Sequence, residues 1–120
     1  MPKPLAFIIE DDPKLSAIIS ITLDDDFELE TCADGNTAMQ RLETIVPKVV
    51  ILDLNLPGLS GREILKHIRS CQRFAQTRVI LTTADDRKAD TLDNDADIVL
   101  LKPISPLQLR ELALRISSMQ

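Results

Sequence analysis

Short apolar runs alternate along the chain with stretches of helical periodicity. The runs have the length of β-strands, and there are five of them: Leu5–Ile9, Phe27–Cys32, Val49–Leu52, Val79–Leu81 and Ile98–Leu101. In the stretches between and after them, apolar residues recur every three or four positions, as on the buried face of a helix. This alternation is typical of βαβ units and predicts a parallel sheet covered by helices.

Local signals place the helices between the runs. Asp12 followed by Pro13 is typical of a helix N-cap. The residues expected to face the core from that helix are Leu15, Ile18, Ile19, Thr22 and Leu23. The core residues expected in the later helices are Ala38, Met39 and Leu42, then Ile64, Leu65 and Ile68 within Gly61 to Ser70, and, after Pro106, Leu107, Leu109, Leu112, Ala113 and Ile116. Between Asp85 and Asp97 only Ala89 and Leu92 can anchor an apolar face, so we expect a short or frayed helix there.

The strand runs differ in the way that central and edge strands differ. Leu5–Ile9 and Val49–Leu52 are apolar at every position, which predicts central strands buried on both faces. Phe27–Cys32 alternates between apolar and polar residues, which predicts an edge strand. We therefore predict an α/β fold built on a parallel sheet, in one domain that covers residues 1–120.

Composition and charge narrow the class of protein. With 44% hydrophobic and 28% charged residues in 120, the chain has the balance of a globular domain and not of a disordered one. No apolar run approaches the roughly 20 residues of a membrane span, and the N-terminus does not resemble a signal peptide, so we expect a cytoplasmic protein that does not contact membranes. The net charge of −5 argues against nucleic-acid binding by this domain.

Polar residues follow four of the predicted strands, at the edge where parallel α/β sheets bind ligands. They are Glu10 and Asp11, Asp53, Thr83 and Lys102. Three carboxylates gathered at one edge repel each other unless a cation neutralises them, and Mg²⁺ takes oxygen ligands of this kind. Asp53 can then act as a nucleophile that accepts a phosphoryl group. Thr83 can donate a hydrogen bond to that group, and Lys102 can pair with it or with Asp53.

The motifs at these strand ends resemble those of the receiver domain of two-component response regulators, over the whole chain. The motifs are Glu10-Asp11, Asp53-Leu54-Asn55-Leu56-Pro57-Gly58-Leu59-Ser60-Gly61, Thr83-Ala84, Lys102-Pro103, and Ala33-Asp34-Gly35 with Ala38. The resemblance implies a flavodoxin-like, doubly wound five-stranded sheet of order 2-1-3-4-5, with helices on both faces and a fourth helix that is short or irregular here.

The resemblance also implies a role for each residue of the site. Asp53 is the expected phosphoacceptor, and Glu10, Asp11, Asp53 and the backbone carbonyl of Asn55 are the expected Mg²⁺ ligands. Thr83 and Lys102 are expected to sense the phosphoryl group. The implied donor is the phosphohistidine of a sensor histidine kinase or phosphotransfer protein, and phosphorylation is expected to switch an output domain or effector protein. Such a domain catalyses at most its own phosphorylation and dephosphorylation, so it is not expected to be an enzyme.

Two features depart from that family. Val99 occupies a position where receivers often carry Tyr or Phe, and the stretch from Thr83 to Lys102 is a few residues short. We therefore expect the phosphorylated state to be read through ordering of residues 85–97. The main alternative is a degenerate receiver that acts as a phosphorylation-independent interaction module. A flavin-binding protein and a phosphohydrolase fit less well, because the acidic first loop would repel phosphate and the chain is too short for a cap domain.

We interpret the two cysteines and the single histidine as structural residues without a chemical role. Cys32 and Cys71 lack the spacing of a disulfide, zinc or redox site and are expected to be buried or half-buried apolar residues. His67 has no partner histidine and is expected on the solvated face of its helix. The sequence leaves the kinase, the output and a possible homodimer open.

Overall fold

Five parallel strands form one sheet in the order β2-β1-β3-β4-β5 in the computed structural model of the chain, which describes residues 2–85, 87 and 95–119. The strands are β1 (Leu5–Ile9), β2 (Glu28–Cys32), β3 (Val49–Asp53), β4 (Arg78–Thr83) and β5 (Ile98–Leu101). Every pair of neighbours is parallel. The predicted sheet and strand order are confirmed.

Burial follows the pattern that distinguished central from edge strands. All five residues of β3 are buried, and four of the five residues of β1 are buried. In β2 no residue is fully buried, because this strand forms one edge of the sheet. Uninterrupted apolar sequence therefore marks strands with helices on both sides, and alternating sequence marks the edge.

Helices cover both faces of the sheet, as predicted. They are α1 (Pro13–Leu23), α2 (Gly35–Leu42), α3 (Gly61–Ser70), a 3₁₀ turn (Gln72–Phe74) and a C-terminal helix (Pro106–Ser117). The core side formed with α1 and the C-terminal helix contains Ile19, Leu23, Leu109 and Ala113. The other side contains residues of α2 and α3. Among the described residues, none of these helices combines the length and apolar character needed to cross a membrane.

Side-chain caps begin each of the four α-helices just named. Asp12 accepts a hydrogen bond from the amide of Lys14, which confirms the predicted N-cap, and Asp34, Ser60 and Ser105 cap the other three. Each cap satisfies an amide that has no partner within the helix. The short helix expected between residues 85 and 97 lies largely outside the described residues.

Three residues predicted to face the core do not do so. Ile18 is 47% exposed, Thr22 is only half-buried, and Leu107 is 66% exposed. In α1 the buried residues Ile19 and Leu23 are one helical turn apart, and Ile18 and Thr22 lie beside that stripe, toward solvent. Leu107 is two residues from the buried Leu109, which places it about 200° around the helix. These predictions were wrong because a helix packed on a sheet buries only a narrow stripe.

The prediction for His67 was also wrong, whereas that for the cysteines is confirmed. His67 is half-buried, 3.7 Å from the Sγ atom of Cys71 and edge-on to the ring of Phe74, because the 3₁₀ turn folds back against the end of α3. Cys32 and Cys71 are both free and half-buried. Burial raises the pKa of the Cys32 thiol to about 11, so this thiol stays protonated near neutral pH.

Candidate functional site

The predicted site residues lie at the carboxyl edge of the sheet. Glu10 directly follows β1, Asp53 is the last residue of β3, Thr83 is the last residue of β4, and Lys102 directly follows β5. Because β1, β3, β4 and β5 are consecutive in the sheet, their ends form one continuous edge. The structure brings Glu10, Asp53 and Lys102 into direct contact there.

Three carboxylates form a cluster at this edge. Oxygen atoms of Glu10, Asp11 and Asp53 all lie within 4.8 Å of one another. Glu10 and Asp53 are 3% and 2% exposed, whereas Asp11 lies at the surface. A cleft of about 550 Å³ between α1 and β2 opens beside Glu10 and Asp11. The cluster therefore has two buried members and one that faces solvent.

Lys102 is the cation that the two buried carboxylates share. Its Nζ atom is 3.2 Å from Oε1 of Glu10 and 3.3 Å from Oδ2 of Asp53. Burial lowers the pKa of Lys102, but the charges of Asp53 and Glu10 outweigh this effect and hold the pKa above the usual value of a lysine. The backbone amide of Lys102 donates to the carbonyl of Thr83 at 2.8 Å, which fixes where the side chain starts.

Burial in the folded protein disfavours the charged form of the Glu10 carboxyl group. Burial raises the pKa of Glu10 from 4.5 to about 7, and Asp53 adds to the rise. The amide of Asp12, which donates to Oε2 of Glu10 at 3.1 Å, and the charge of Lys102 act in the opposite direction. Near neutral pH Glu10 is therefore divided between its charged and neutral forms.

The loop after β3 holds the Asp53 carboxylate from the other side. The amide of Asn55 donates to Oδ1 of Asp53 at 3.1 Å, and the amide of Leu54 donates to the carbonyl of Thr82 at 2.9 Å. Gly58 adopts φ +74° within this loop, a conformation that side chains other than glycine rarely allow. Asp53 thus has one oxygen held by the loop and the other by Lys102.

Gly61 closes the loop by packing against its first residues. Its amide donates to the carbonyl of Leu54 at 3.1 Å, and a Cβ atom at Gly61 would lie 2.4 Å from the carbonyl oxygen of Asp53 and 2.7 Å from Cα of Leu54. Both neighbours are backbone atoms, which cannot turn aside as a side chain would. The close approach of α3 to the end of β3 therefore requires glycine.

We expect Gly61→Ala to lower the free energy of unfolding by about 1–3 kcal/mol, because the added methyl group forces backbone atoms apart. Chemical denaturation followed by circular dichroism measures the change. Lys66→Ala, at an exposed position of the same helix, is the matched control and is expected to change stability little. A Gly61→Ala variant as stable as the wild type would show that the loop yields to the methyl group.

The Thr83 hydroxyl is engaged within its own turn. Thr83 is fully buried, and its Oγ1 atom accepts a hydrogen bond from the amide of Asp85 at 3.1 Å. This bond ties the end of β4 to the start of the segment that follows it. The predicted role of Thr83 toward a phosphoryl group stays a prediction.

The carboxylate cluster has the properties of a site for a hard cation. Its ligand atoms are carboxylate oxygens, which Mg²⁺ prefers, and the exposed Asp11 leaves room for waters on the ion. Oε1 of Glu10 is buried and, among the described residues, has only the ion pair with the Lys102 ammonium at 3.2 Å. Three carboxylates against one lysine leave an excess of negative charge. The residues present therefore fit a divalent cation.

Thr82 is a residue of this site that the sequence did not single out. It pairs with Asp53 in the register of β3 and β4, and it is 1% exposed. Threonine favours strands, so Thr82 taken alone is typical of ordinary strand content. The sequence did contain one signal for a role of Thr82 in the site. Its hydroxyl directly follows three apolar strand residues, Val79, Ile80 and Leu81.

Comparisons with known proteins give the family of the chain. The model of the response regulator receiver domain family matches residues 6–114. The phosphate regulon transcriptional regulatory protein PhoB of Rhizobium meliloti is 31% identical over 110 residues, which are 88% of this chain and 48% of that protein. The chain spans less than half the length of the curated relatives it matches, down to 7% of the hybrid signal transduction histidine kinase D of Dictyostelium discoideum.

Solved structures show the same fold over nearly the whole chain. The chemotaxis response regulator CheY4 of Vibrio cholerae superposes with a TM-score of 0.86 at 26% identity, over 95% of this chain and 98% of that one. The BeF3-activated receiver domain of DrrB, a Thermotoga maritima protein, gives a TM-score of 0.86 at 26% identity, over 95% and 97% of the two chains. The match of residues 6–114, together with an acidic pocket and lysine at the carboxyl edge, shows that the chain belongs to the response regulator receiver domain family.

Proposed function

We propose that Asp53 accepts a phosphoryl group from the phosphohistidine of a sensor histidine kinase or phosphotransfer protein. The receiver domain is a phosphoacceptor signalling module and not an enzyme, and receiver domains partner with histidine kinases. The observation that carries the choice of Asp53 is its placement. Asp53 is buried at the strand end with Oδ1 held by Asn55 and Oδ2 by Lys102, so the carboxylate is oriented and its charge is balanced.

The proposed transfer makes one bond and breaks one. A carboxylate oxygen of Asp53 attacks phosphorus, a new O–P bond forms, and the N–P bond of the phosphohistidine breaks. The donor imidazole leaves with the electron pair and takes a proton from solvent. Hydrolysis reverses the modification when water attacks phosphorus and the O–P bond breaks, which restores the Asp53 carboxylate and releases inorganic phosphate.

The proposed cofactor is Mg²⁺, held by Glu10, Asp11, Asp53 and the backbone carbonyl of Asn55. When bound, the ion supplies positive charge to the oxygens of the transferred group. The chain itself supplies the rest. Lys102 lies within reach of Asp53 and pairs with the incoming charge, and Thr83 gives a hydroxyl at the end of β4. The negative charge of the cluster supports this choice of ion.

We also propose a domain extent, a cellular location and a downstream partner for this chain. A single domain over residues 1–120, a cytoplasmic location, and an output domain or effector protein that responds to the phosphorylated state are the expectations from the sequence. BeF3 activates the receiver domain of DrrB, and an activated state of this chain is proposed by analogy with it. Val99 is half-buried against the core, and the predicted readout through residues 85–97 falls largely outside the described part of the chain.

Mass spectrometry of the intact protein tests this function. After incubation with Mg²⁺ and phosphoramidate, we expect the wild type to gain one phosphoryl group, and we expect Asp53→Asn to gain none because the amide is not a nucleophile. Asp24→Asn, at an exposed acidic position after α1, is the matched control and is expected to gain the group normally. Chelating the metal is expected to suppress the gain.

Two results would contradict the proposal. A phosphoryl group that remains in Asp53→Asn would place the modification on another residue. A wild type that gains no group with any small phosphodonor would favour an interaction module that works without phosphorylation.

A further inference from the structure

Thr82 carries a buried hydroxyl that has no hydrogen-bond partner among the described residues. The residue is 1% exposed, and its Oγ1 atom makes no hydrogen bond within the part of the chain that the structure describes. Thr77, another buried threonine, donates its hydroxyl to the carbonyl of Pro47 at 2.7 Å. An unpaired hydroxyl costs stability, and valine would fill the same space without that cost. The hydroxyl at position 82 therefore calls for an explanation other than packing.

The sheet places this hydroxyl beside the Asp53 side chain. Asp53 and Thr82 are register partners on neighbouring parallel strands, so their side chains leave the sheet on the same face. Ile51 and Ile80, two residues earlier on the two strands, both belong to the core side covered by α1 and the C-terminal helix. Strand alternation puts Asp53 and Thr82 on that side as well, two residues nearer to the carboxyl edge of the sheet.

Backbone contacts hold the two residues together. The carbonyl of Thr82 accepts a hydrogen bond from the amide of Leu54, the residue that follows Asp53, at 2.9 Å. The strand spacing of about 4.8 Å lets a side-chain rotation close the distance between neighbouring side chains on one face. A threonine side chain has few staggered positions, so its hydroxyl moves between defined directions.

In the unphosphorylated site, one carboxylate oxygen of Asp53 pairs with a cation that it shares with Glu10. Oδ1 accepts from the amide of Asn55, while Oδ2 lies 3.3 Å from the Lys102 ammonium, which also serves Glu10. The proposed function has Lys102 pair with an incoming phosphoryl group, and this pairing would take part of the Lys102 contact away from the Asp53 carboxyl group. A neutral donor nearby can take its place without adding charge.

We infer that the Thr82 hydroxyl is a positioning group for Asp53, which donates a hydrogen bond to the Asp53 carboxyl group as Lys102 moves to the phosphoryl group. The inference rests on the proposed function, because it needs Asp53 to be the phosphoacceptor. Thr82 keeps its proton throughout, and no covalent bond forms or breaks at this residue. The hydroxyl that is unpaired in the unphosphorylated protein is thus available to donate a hydrogen bond in the phosphorylated protein.

The decisive variant is Thr82→Val, which keeps the shape of the side chain and removes only the hydroxyl. We expect its phosphoryl uptake from phosphoramidate with Mg²⁺, followed by intact mass over time, to be about ten-fold slower than that of the wild type. Its midpoint of chemical denaturation is expected to equal or exceed that of the wild type, because an unpaired buried hydroxyl has been removed. Slower chemistry in a protein that is at least as stable cannot arise from misfolding.

Two further variants separate positioning from structure. Thr82→Ser keeps the hydroxyl and loses a methyl group, so it is expected to restore most of the uptake rate while being less stable than the wild type. Thr77→Val, at the other end of the sheet, removes a hydroxyl that has a partner, and it is expected to lose stability with an unchanged uptake rate. Uptake is therefore expected to fall strongly only in Thr82→Val, whereas stability is expected to fall only in Thr82→Ser and Thr77→Val.

Uptake by Thr82→Val at the wild-type rate, or an equal loss in Thr82→Ser, would overturn the role of the hydroxyl while leaving Asp53 as the phosphoacceptor. If the wild type itself gains no phosphoryl group, or if Asp53→Asn gains one, the proposed function fails and this inference fails with it. The Asp53→Asn arm distinguishes the two cases.

Discussion

Replacing Glu10 by glutamine is expected to make the metal-free protein more stable by about 3 kcal/mol at about pH 8, and to change its stability little at about pH 4.5. The folded pKa of Glu10 is raised to about 7 from 4.5, mainly by burial. A raised pKa means that the folded protein holds a proton which the unfolded chain releases. Stability from this group is therefore complete below pH 4.5 and is lost as the pH rises through 7, whereas glutamine stays neutral throughout.

Chemical denaturation at a series of pH values, followed by far-ultraviolet circular dichroism, measures this difference. The chain has no tryptophan, so fluorescence of that residue is not an option. Glu28→Gln is the matched control, because Glu28 is exposed on the edge strand β2 and its variant is expected to follow the wild type at every pH. A constant difference between Glu10→Gln and the wild type from pH 4.5 to 8 would contradict a raised pKa at Glu10.

The sequence predicted the sheet well because its signals are local and strong. A strand such as Val49–Asp53, buried on both faces, has to be apolar over its whole length, and the edge strand Glu28–Cys32 has to alternate. The turn residues after each run fix where the strand ends. Since all five strands are parallel, the polar residues that follow them meet at one edge, and the candidate site follows from the order of motifs alone.

The helix faces were predicted less well, for a physical reason. Helix α1 contains apolar residues on several sides, and Ile21 is 78% exposed while Ile19 is buried. Periodicity shows that a helix is amphipathic, but the centre of its buried stripe depends on the surface it packs against. The position of His67 depended in the same way on a 3₁₀ turn that folds Cys71 and Phe74 back toward it.

The charge balance of the site also could not be predicted from the sequence. The order of motifs predicts that Glu10, Asp53 and Lys102 are near each other, but not that one ammonium serves two buried carboxylates. The relation between Asp53 and Thr82 depends on the register of β3 and β4, which a difference of one residue would reverse. Motifs therefore identify the chemistry, and register with burial determines the charge balance and the neighbours.

Replacing Lys102 by methionine is expected to slow phosphoryl uptake on Asp53 by about 100-fold, the effect of removing one oriented charge from a site where charge develops. Methionine keeps much of the apolar stem and removes only the ammonium, which lies 3.2 and 3.3 Å from the two buried carboxylates. The loss leaves Glu10 and Asp53 without their shared cation. We therefore also expect stability at about pH 8 to fall by about 2 kcal/mol, less than for a fully buried pair because 26% of the Lys102 side chain is exposed.

A double variant separates the two effects of Lys102. In Lys102→Met with Glu10→Gln, one of the two unpaired carboxylates is gone, so stability is expected to recover while phosphoryl uptake stays slow. Uptake is measured by intact mass with Mg²⁺ and phosphoramidate, and Lys66→Met, an exposed lysine of α3, is expected to behave as the wild type. If uptake recovered together with stability, Lys102 would act only by balancing the buried charge. If the stable double variant takes up the group more slowly than Glu10→Gln alone, the ammonium acts on the transferred group itself, because both variants lack the same carboxylate of the cluster.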